Sequence, residues 1–140
     1  MKAAIYIGKP ELEKDLRLAA LIDALRRGGC DLYSVYGAED VAEDTDMLLS
    51  VGGDGTFLSC AAIAGRLGLP LMGVNLGRLG FLSENRPEDG ASAILSGDYV
   101  IEDRTMLHAD VRTGNEPMDA WPYALNEMTV RRSGAAMLGV

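Results

Sequence analysis

The residues best placed to do chemistry are Val51-Gly52-Gly53-Asp54-Gly55-Thr56-Phe57-Leu58, three glycines around one carboxylate. Glycine lets a backbone turn sharply and approach a ligand closely. Where such a turn joins a strand to a helix, free backbone N–H groups and the helix dipole together make an anion site. Two readings stand: a phosphate-binding turn, or a tight connection in which Asp54 or Thr56 is the helix N-cap. The stretch lacks the lysine of the GxxxxGK[ST] phosphate loop and is not the GxGxxG dinucleotide fingerprint. A carboxylate at the tip would repel a bound phosphate. It suits a hydroxyl that must lose a proton, or a Mg²⁺ ion, and both belong to phosphoryl transfer, where an aspartate orients the attacking hydroxyl.

A second glycine-punctuated stretch, Asn75-Leu76-Gly77-Arg78-Leu79-Gly80-Phe81-Leu82, also follows a strand-like run. Arg78 reads as a solvated cation, with phosphate binding as the alternative. Phe81 either stacks on a base or anchors its loop. Further on, Asn126-Glu127 sits in an extended run. Asparagine can read an adenine edge and glutamate can accept from ribose hydroxyls. A regular strand would aim only one of them at a ligand unless a bulge re-aimed the other. On the residues alone the pair is a polar bend.

These residues need elements to hold them. The apolar runs 3–7, 30–35, 47–51 and 71–74 are expected strands. Residues 11–27 are expected to form an amphipathic helix, with Leu12, Leu16, Ala19, Ile22, Leu18, Leu21 and Leu25 on one broad face. Residues 57–67 are expected to form an alanine-rich helix closed by Gly68. A third helix should open at Pro87-Glu88-Asp89 and end near Gly97. Strands alternating with helices imply a parallel α/β sheet, whose ligands bind beyond the carboxyl ends of the strands. Two glycine-rich loops at two such ends can line one crevice. Beyond residue 98 the texture changes: Leu107, Ala109 and Val111 alternate with polar neighbours, 113–117 reads as a turn, Trp121, Tyr123 and Leu125 alternate again, and 128–132 continues extended. The expected organisation is an α/β nucleotide-binding domain over 1–100 and the start of a β-rich domain over 101–140. His108 falls on the polar phase of its strand and is expected to be exposed.

Composition narrows the function classes. A hydrophobic content of 48% with 24% charged residues is globular rather than disordered. The net charge of −8 argues against non-specific nucleic-acid binding. No apolar run reaches the ~20 residues of a membrane helix, and Met1-Lys2 leads directly into a strand-like run, so a cytoplasmic protein without membrane partners is expected. Cys30 and Cys60 read as reduced core thiols. One histidine and no His/Cys cluster argue against zinc. The acids Glu39, Asp40, Glu43, Asp44 and Asp46 read as a solvated loop rather than a metal site. The three lysines, Lys2, Lys9 and Lys14, all lie near the start. A phosphate site further along is therefore expected to use arginine, backbone N–H groups or a metal.

Taken together, Gly52-Gly53-Asp54-Gly55-Thr56, the segment Gly73 to Leu82, Arg104-Thr105-Met106-Leu107 and Leu125-Asn126-Glu127 occur in the order seen in bacterial NAD kinases. The chain resembles that family over essentially its whole length. The first motif is shared with diacylglycerol and sphingosine kinases and, more loosely, with phosphofructokinases; the second and fourth are more specific. The resemblance implies ATP-dependent phosphorylation of the adenosine-ribose 2′-hydroxyl of NAD to give NADP, with a divalent metal, Mg²⁺ for preference. It implies Asp54 as general base, with Gly53, Gly55 and Thr56 in the substrate-binding set. Phe81 would border the adenine, and Asn126 and Glu127 would bind the adenosine part. No protein metal ligand is assigned. It also implies homo-oligomers and a β-rich domain continuing well past Val140, so the chain reads as an N-terminal portion with weak or absent activity alone. Ser59 stands where many relatives carry a basic residue. The alternatives are a non-catalytic nucleotide-binding or assembly module, and a diacylglycerol-kinase-like lipid kinase, against which the segment Gly73 to Leu82 speaks.

Overall fold

Four short apolar runs become four parallel strands. In the computed structural model, which describes residues 1–78, 80–110, 112–113, 116–117 and 121–129 (backbone alone for 112, 113, 116 and 117), the chain divides into two units, Met1–Glu102 and Asp103–Val140. In the first unit, β1 (Lys2–Ile7), β2 (Asp31–Val35), β3 (Met47–Val51) and β4 (Leu71–Val74) form one sheet in the order β2-β1-β3-β4. All three pairings are parallel. Every residue of β3 is buried, as expected of a central parallel strand covered on both faces.

Side chains alternate across the sheet and so build two cores. Ala3, Ile5, Leu49 and Val51 pack with Leu18, Leu21 and Leu25 of α1 (Leu16–Arg27) and with Ala91 and Ile94 of α3 (Pro87–Ser96). Ala4, Val35 and Leu48 face Cys60 and Ala64 of α2 (Asp54–Leu67). The chain leaves β1 through α1 on one face and leaves β3 through α2 on the other. The winding direction therefore reverses between β1 and β3. Open α/β sheets take ligands at such a switch point, beyond the strands' carboxyl ends.

The helix expected over 11–27 is two elements. Pro10–Lys14 is a 3-10 turn, and α1 begins only after Asp15, whose carboxylate accepts from Arg17 N–H at 2.8 Å. A capping side chain starts a new helix more readily than it sits inside one. The buried face is correspondingly narrower than expected: Leu16 is 85% exposed and Ala19 is exposed, while Leu18, Leu21 and Leu25 are buried. The third helix opens at Pro87 and closes at Gly97, which adopts φ +70.

In the second unit, β5 (Leu107–His108) pairs antiparallel with β8 (Tyr123–Ala124), and β6 (Arg112–Thr113) with β7 (Glu116–Pro117). Within the turn expected over 113–117, Thr113 pairs with Glu116, and residues 114 and 115 lie outside the described residues. His108 is exposed and lies against the Tyr123 ring, centroids 4.7 Å apart. Leu107, expected on a buried phase, is 51% exposed. A strand pair this short has no sheet face to bury it against. Val111 and the part of the expected extended run from residue 130 onward fall outside the described residues.

Candidate active site

Three strand ends meet at the carboxyl edge of the sheet. Gly8 N–H donates to Val51 O at 3.0 Å, and Gly52 N–H donates to Val74 O at 2.9 Å. Gly52 has φ +151, and a Cβ there would lie 2.8 Å from Thr56 Cβ. A Cβ on Gly8 would lie 2.6 Å from Thr56 Cγ2. Thr56 is half-buried and seats itself between these two bare backbones, drawing the β1 and β3 turns together. Gly53 and Gly55 are exposed, and an added Cβ on either meets nothing within 4 Å. Their open faces leave the α2 entry accessible to a ligand.

Neither Asp54 nor Thr56 is the N-cap. Gly53 is, with no side chain to cover the first-turn N–H groups, and Asp54 is the first helical residue. The helix thus begins three residues before the expected start at Phe57. Its carboxylate is free to reach sideways, and it does. Phe81 N–H donates to Oδ2 at 2.9 Å, Leu82 N–H to Oδ1 at 3.1 Å and Ser83 N–H to Oδ1 at 3.0 Å. The two glycine-rich loops are therefore joined through Asp54. Hydrogen bonds to an ionised carboxylate favour its charged form. The Ser83, Phe81 and Leu82 N–H groups hold the Asp54 carboxyl below its ordinary range, against a smaller opposing effect of desolvation.

The second loop is braced by residues that stand outside the candidate set. Asn75 is buried; its amide donates to Arg78 O, and its carbonyl accepts from Gly77 N–H at 2.8 Å. Ser83, fully buried, donates its hydroxyl to Gly52 O at 2.9 Å. Asn85 donates to Gly73 O at 3.0 Å. Polar residues spaced through a glycine-rich loop were the available signal, since a loop with buried carbonyls needs donors. Phe81 is 92% exposed, so its backbone N–H anchors the loop while its ring stays open. Arg78 is exposed, in keeping with a solvated cation.

Lys9 is the residue that sequence order concealed. Register places Ile7 of β1 beside Val51 of β3, so Gly8-Lys9-Pro10 emerges at the same edge as Gly52-Gly53-Asp54. Lys9 is exposed, and its ammonium forms no ion pair among the described residues. The expectation of arginine, backbone N–H groups or a metal for a phosphate site further along follows order in the chain, whereas register brings Lys9 to the same sheet edge as Asp54. Asn126 and Glu127 are exposed residues of the second unit, just after β8, where the chain bends at Leu125 and Asn126.

Among the described residues no three His, Cys, Asp or Glu side chains converge, so that donor set does not fit a protein-held divalent ion. No described helix is long and apolar enough to cross a membrane.

Sheet order and loops define a doubly wound α/β protein with an aspartate joining two glycine-rich loops at its switch point. Residues 24–98 match the family described as ATP-NAD kinase N-terminal domain, and the chain belongs to that family. It is similar to the NAD kinase of Carboxydothermus hydrogenoformans, 33% identical across 94% of this chain and 50% of the relative. It is also similar to that of Bacteroides fragilis strain ATCC 25285, 32% identical across 100% of this chain and 55% of the relative. The chain thus spans about half the length of these curated relatives. A solved crystal structure of an NAD kinase from Archaeoglobus fulgidus in complex with ATP shares 30% identity over 67% of this chain and 35% of that one, with a TM-score of 0.49.

Proposed function

We propose that this chain carries the base and the glycine-loop walls of an NAD kinase, which transfers the γ-phosphoryl group of ATP to the adenosine-ribose 2′-hydroxyl of NAD, giving NADP and ADP. The observation that carries this reading is Asp54, an ionised carboxylate held by backbone N–H groups at the switch point between two glycine-rich loops. Its relatives' names point the same way.

The 2′-oxygen attacks the γ-phosphorus in line, the bond to the β–γ bridging oxygen breaks, and Asp54 takes the hydroxyl proton. A depressed pKa makes Asp54 a modest base but keeps it ionised. In a loose phosphoryl-transfer transition state the nucleophile's proton leaves late, so holding the hydroxyl in position matters more than base strength. Gly53 and Gly55 leave room for the ribose and phosphates, Lys9 offsets phosphate charge, and Phe81 offers its ring to the adenine. Asn126 and Glu127 bind the adenosine part. A divalent ion, Mg²⁺ for preference, would arrive on the nucleotide's phosphates rather than on protein ligands. A cytoplasmic homo-oligomer belongs to the same proposal, and light scattering of the purified protein tests the assembly.

Calorimetric titration with NAD, paired with chromatographic detection of NADP from NAD and Mg-ATP, tests the reading. NAD binding is expected, with turnover weak in this chain alone. Wherever turnover is measured, in this chain or in a longer form containing it, Asp54→Asn should lower it by ~10²–10⁴-fold. Absence of both NAD binding and turnover would overturn the proposal, as would full activity of the Asn variant.

A further inference from the structure

We propose that Gly80 and Ser83 are positioning residues for Asp54, acting through a backbone cradle of three N–H groups that sets where the carboxylate sits. The proposal rests on the kinase reading for its catalytic consequence, though not for the cradle itself.

The cradle depends on two side-chain facts. Gly80 has to be bare: a Cβ there would lie 2.5 Å from Asp54 Cγ and 2.7 Å from Oδ2, well inside van der Waals contact. The carboxylate occupies the space a side chain would fill. Its position is further set because Phe81 N–H takes one oxygen while Leu82 and Ser83 share the other, fixing the rotation of the carboxyl plane. Ser83 then ties the cradle to the first loop. Its N–H donates to Asp54 Oδ1 and its buried hydroxyl donates to Gly52 O, two residues before Asp54 in the chain. A closed circuit results, from Gly52 through Asp54 to Ser83 and back. Space there is tight, since a Cβ on Gly73 would meet Ser83 Cα at 2.9 Å. Ser83 therefore cannot drift toward β4 to accommodate a shifted loop. Among the described residues no charged side chain takes part; the cradle is neutral backbone, and only Asp54 carries charge within it.

Gly80→Ala should force the carboxylate out of the cradle, and Ser83→Ala should loosen the circuit at one point. Misplacing a catalytic group by about an ångström costs on the order of a hundredfold in rate. Gly80→Ala is accordingly expected to lower kcat by about a hundredfold with KM for NAD little changed, and Ser83→Ala by about tenfold. The second readout needs no activity. In amide NMR of this chain, Phe81, Leu82 and Ser83 N–H signals should sit downfield through their carboxylate bonds. They should move upfield in Gly80→Ala and in Asp54→Asn, while Leu48 and Leu49 amides report an intact sheet. If Gly80→Ala fails to fold, Ser83→Ala and Asp54→Asn decide the matter by the same three signals. Three unmoved signals in a folded variant would overturn the cradle. Absence of both NAD binding and turnover, with the signals moving as expected, would instead overturn the kinase reading and leave the cradle standing.

Discussion

Asp54 makes a pH prediction of definite sign. Its carboxyl is lowered from the ordinary 3.8 by the Ser83, Phe81 and Leu82 N–H groups. A carboxylate depressed in the folded state contributes its stabilisation fully above its ordinary pKa and loses it as pH falls through the folded value. Hydrogen-exchange protection of amides 81–83 should therefore hold from neutral pH down past the ordinary carboxyl value and be lost as pH falls through the lowered folded value. Asp54→Asn should show the collapsed level throughout, measured at matched intrinsic exchange rates. Lys9 makes a second test at this scale. Lys9→Ala should raise KM for ATP about tenfold and leave KM for NAD nearly unchanged, because an exposed cation contributes charge to the phosphates and nothing to the ribose. Equal effects on both constants would remove it from the phosphate side. Phe81 illustrates why side-chain type alone left its role open: the ring and the N–H of one residue serve different partners.

At the scale of elements, the break between the 3-10 turn and α1 depends on Asp15. The Arg17 side chain and backbone N–H hold its carboxyl down to about 2. The folded pKa is again below the ordinary 3.8, so the cap's contribution is complete above that value and lost as pH falls through about 2. Asp15→Ala should lower the melting temperature at neutral pH, with the difference from the parent closing near pH 2. Calorimetry at several pH values checks it. The same element shows how sequence reading overreached. Leucines at 12, 16, 18, 21 and 25 fit a helical stripe, yet a capping aspartate inside the stripe divides it and turns Leu16 outward. The start of α2 erred in the opposite direction. The helix-like run is expected only from Phe57, after the glycine-rich turn. Cross-loop hydrogen bonds to Asp54 and the packing of Thr56 carry the helix back to Asp54.

Across the whole molecule, the two faces of the sheet set stability. Leu49 is fully buried in the core under α1 and α3. Leu49→Ala should cost ~2–5 kcal/mol in denaturant unfolding, through lost burial and a residual cavity. The opposite core holds Cys60, whose thiol is pushed up to about 12 by burial; Cys30, on the first face, is also raised by burial. Neither should react with iodoacetamide at pH 8 in the folded protein, and both should react on unfolding, so alkylation followed by mass spectrometry gives a second measure of the Leu49→Ala effect.

The sequence by itself determined the four strands, the parallel α/β class, the two glycine-rich loops and the identity of Asp54 as the residue to watch, because hydrophobic period and glycine placement are local signals. Only the tertiary structure decided what those residues touch. Register brought Lys9, forty-five positions from Asp54 by number, to the same sheet edge. Folding of the second loop carried the N–H groups of Phe81, Leu82 and Ser83 onto Asp54 and left Gly80 no room for a side chain. Backbone N–H groups have no letter in a sequence, and a hydrogen bond across twenty-seven residues has no periodicity, so the device that holds the carboxylate appears only when the loops are closed in space.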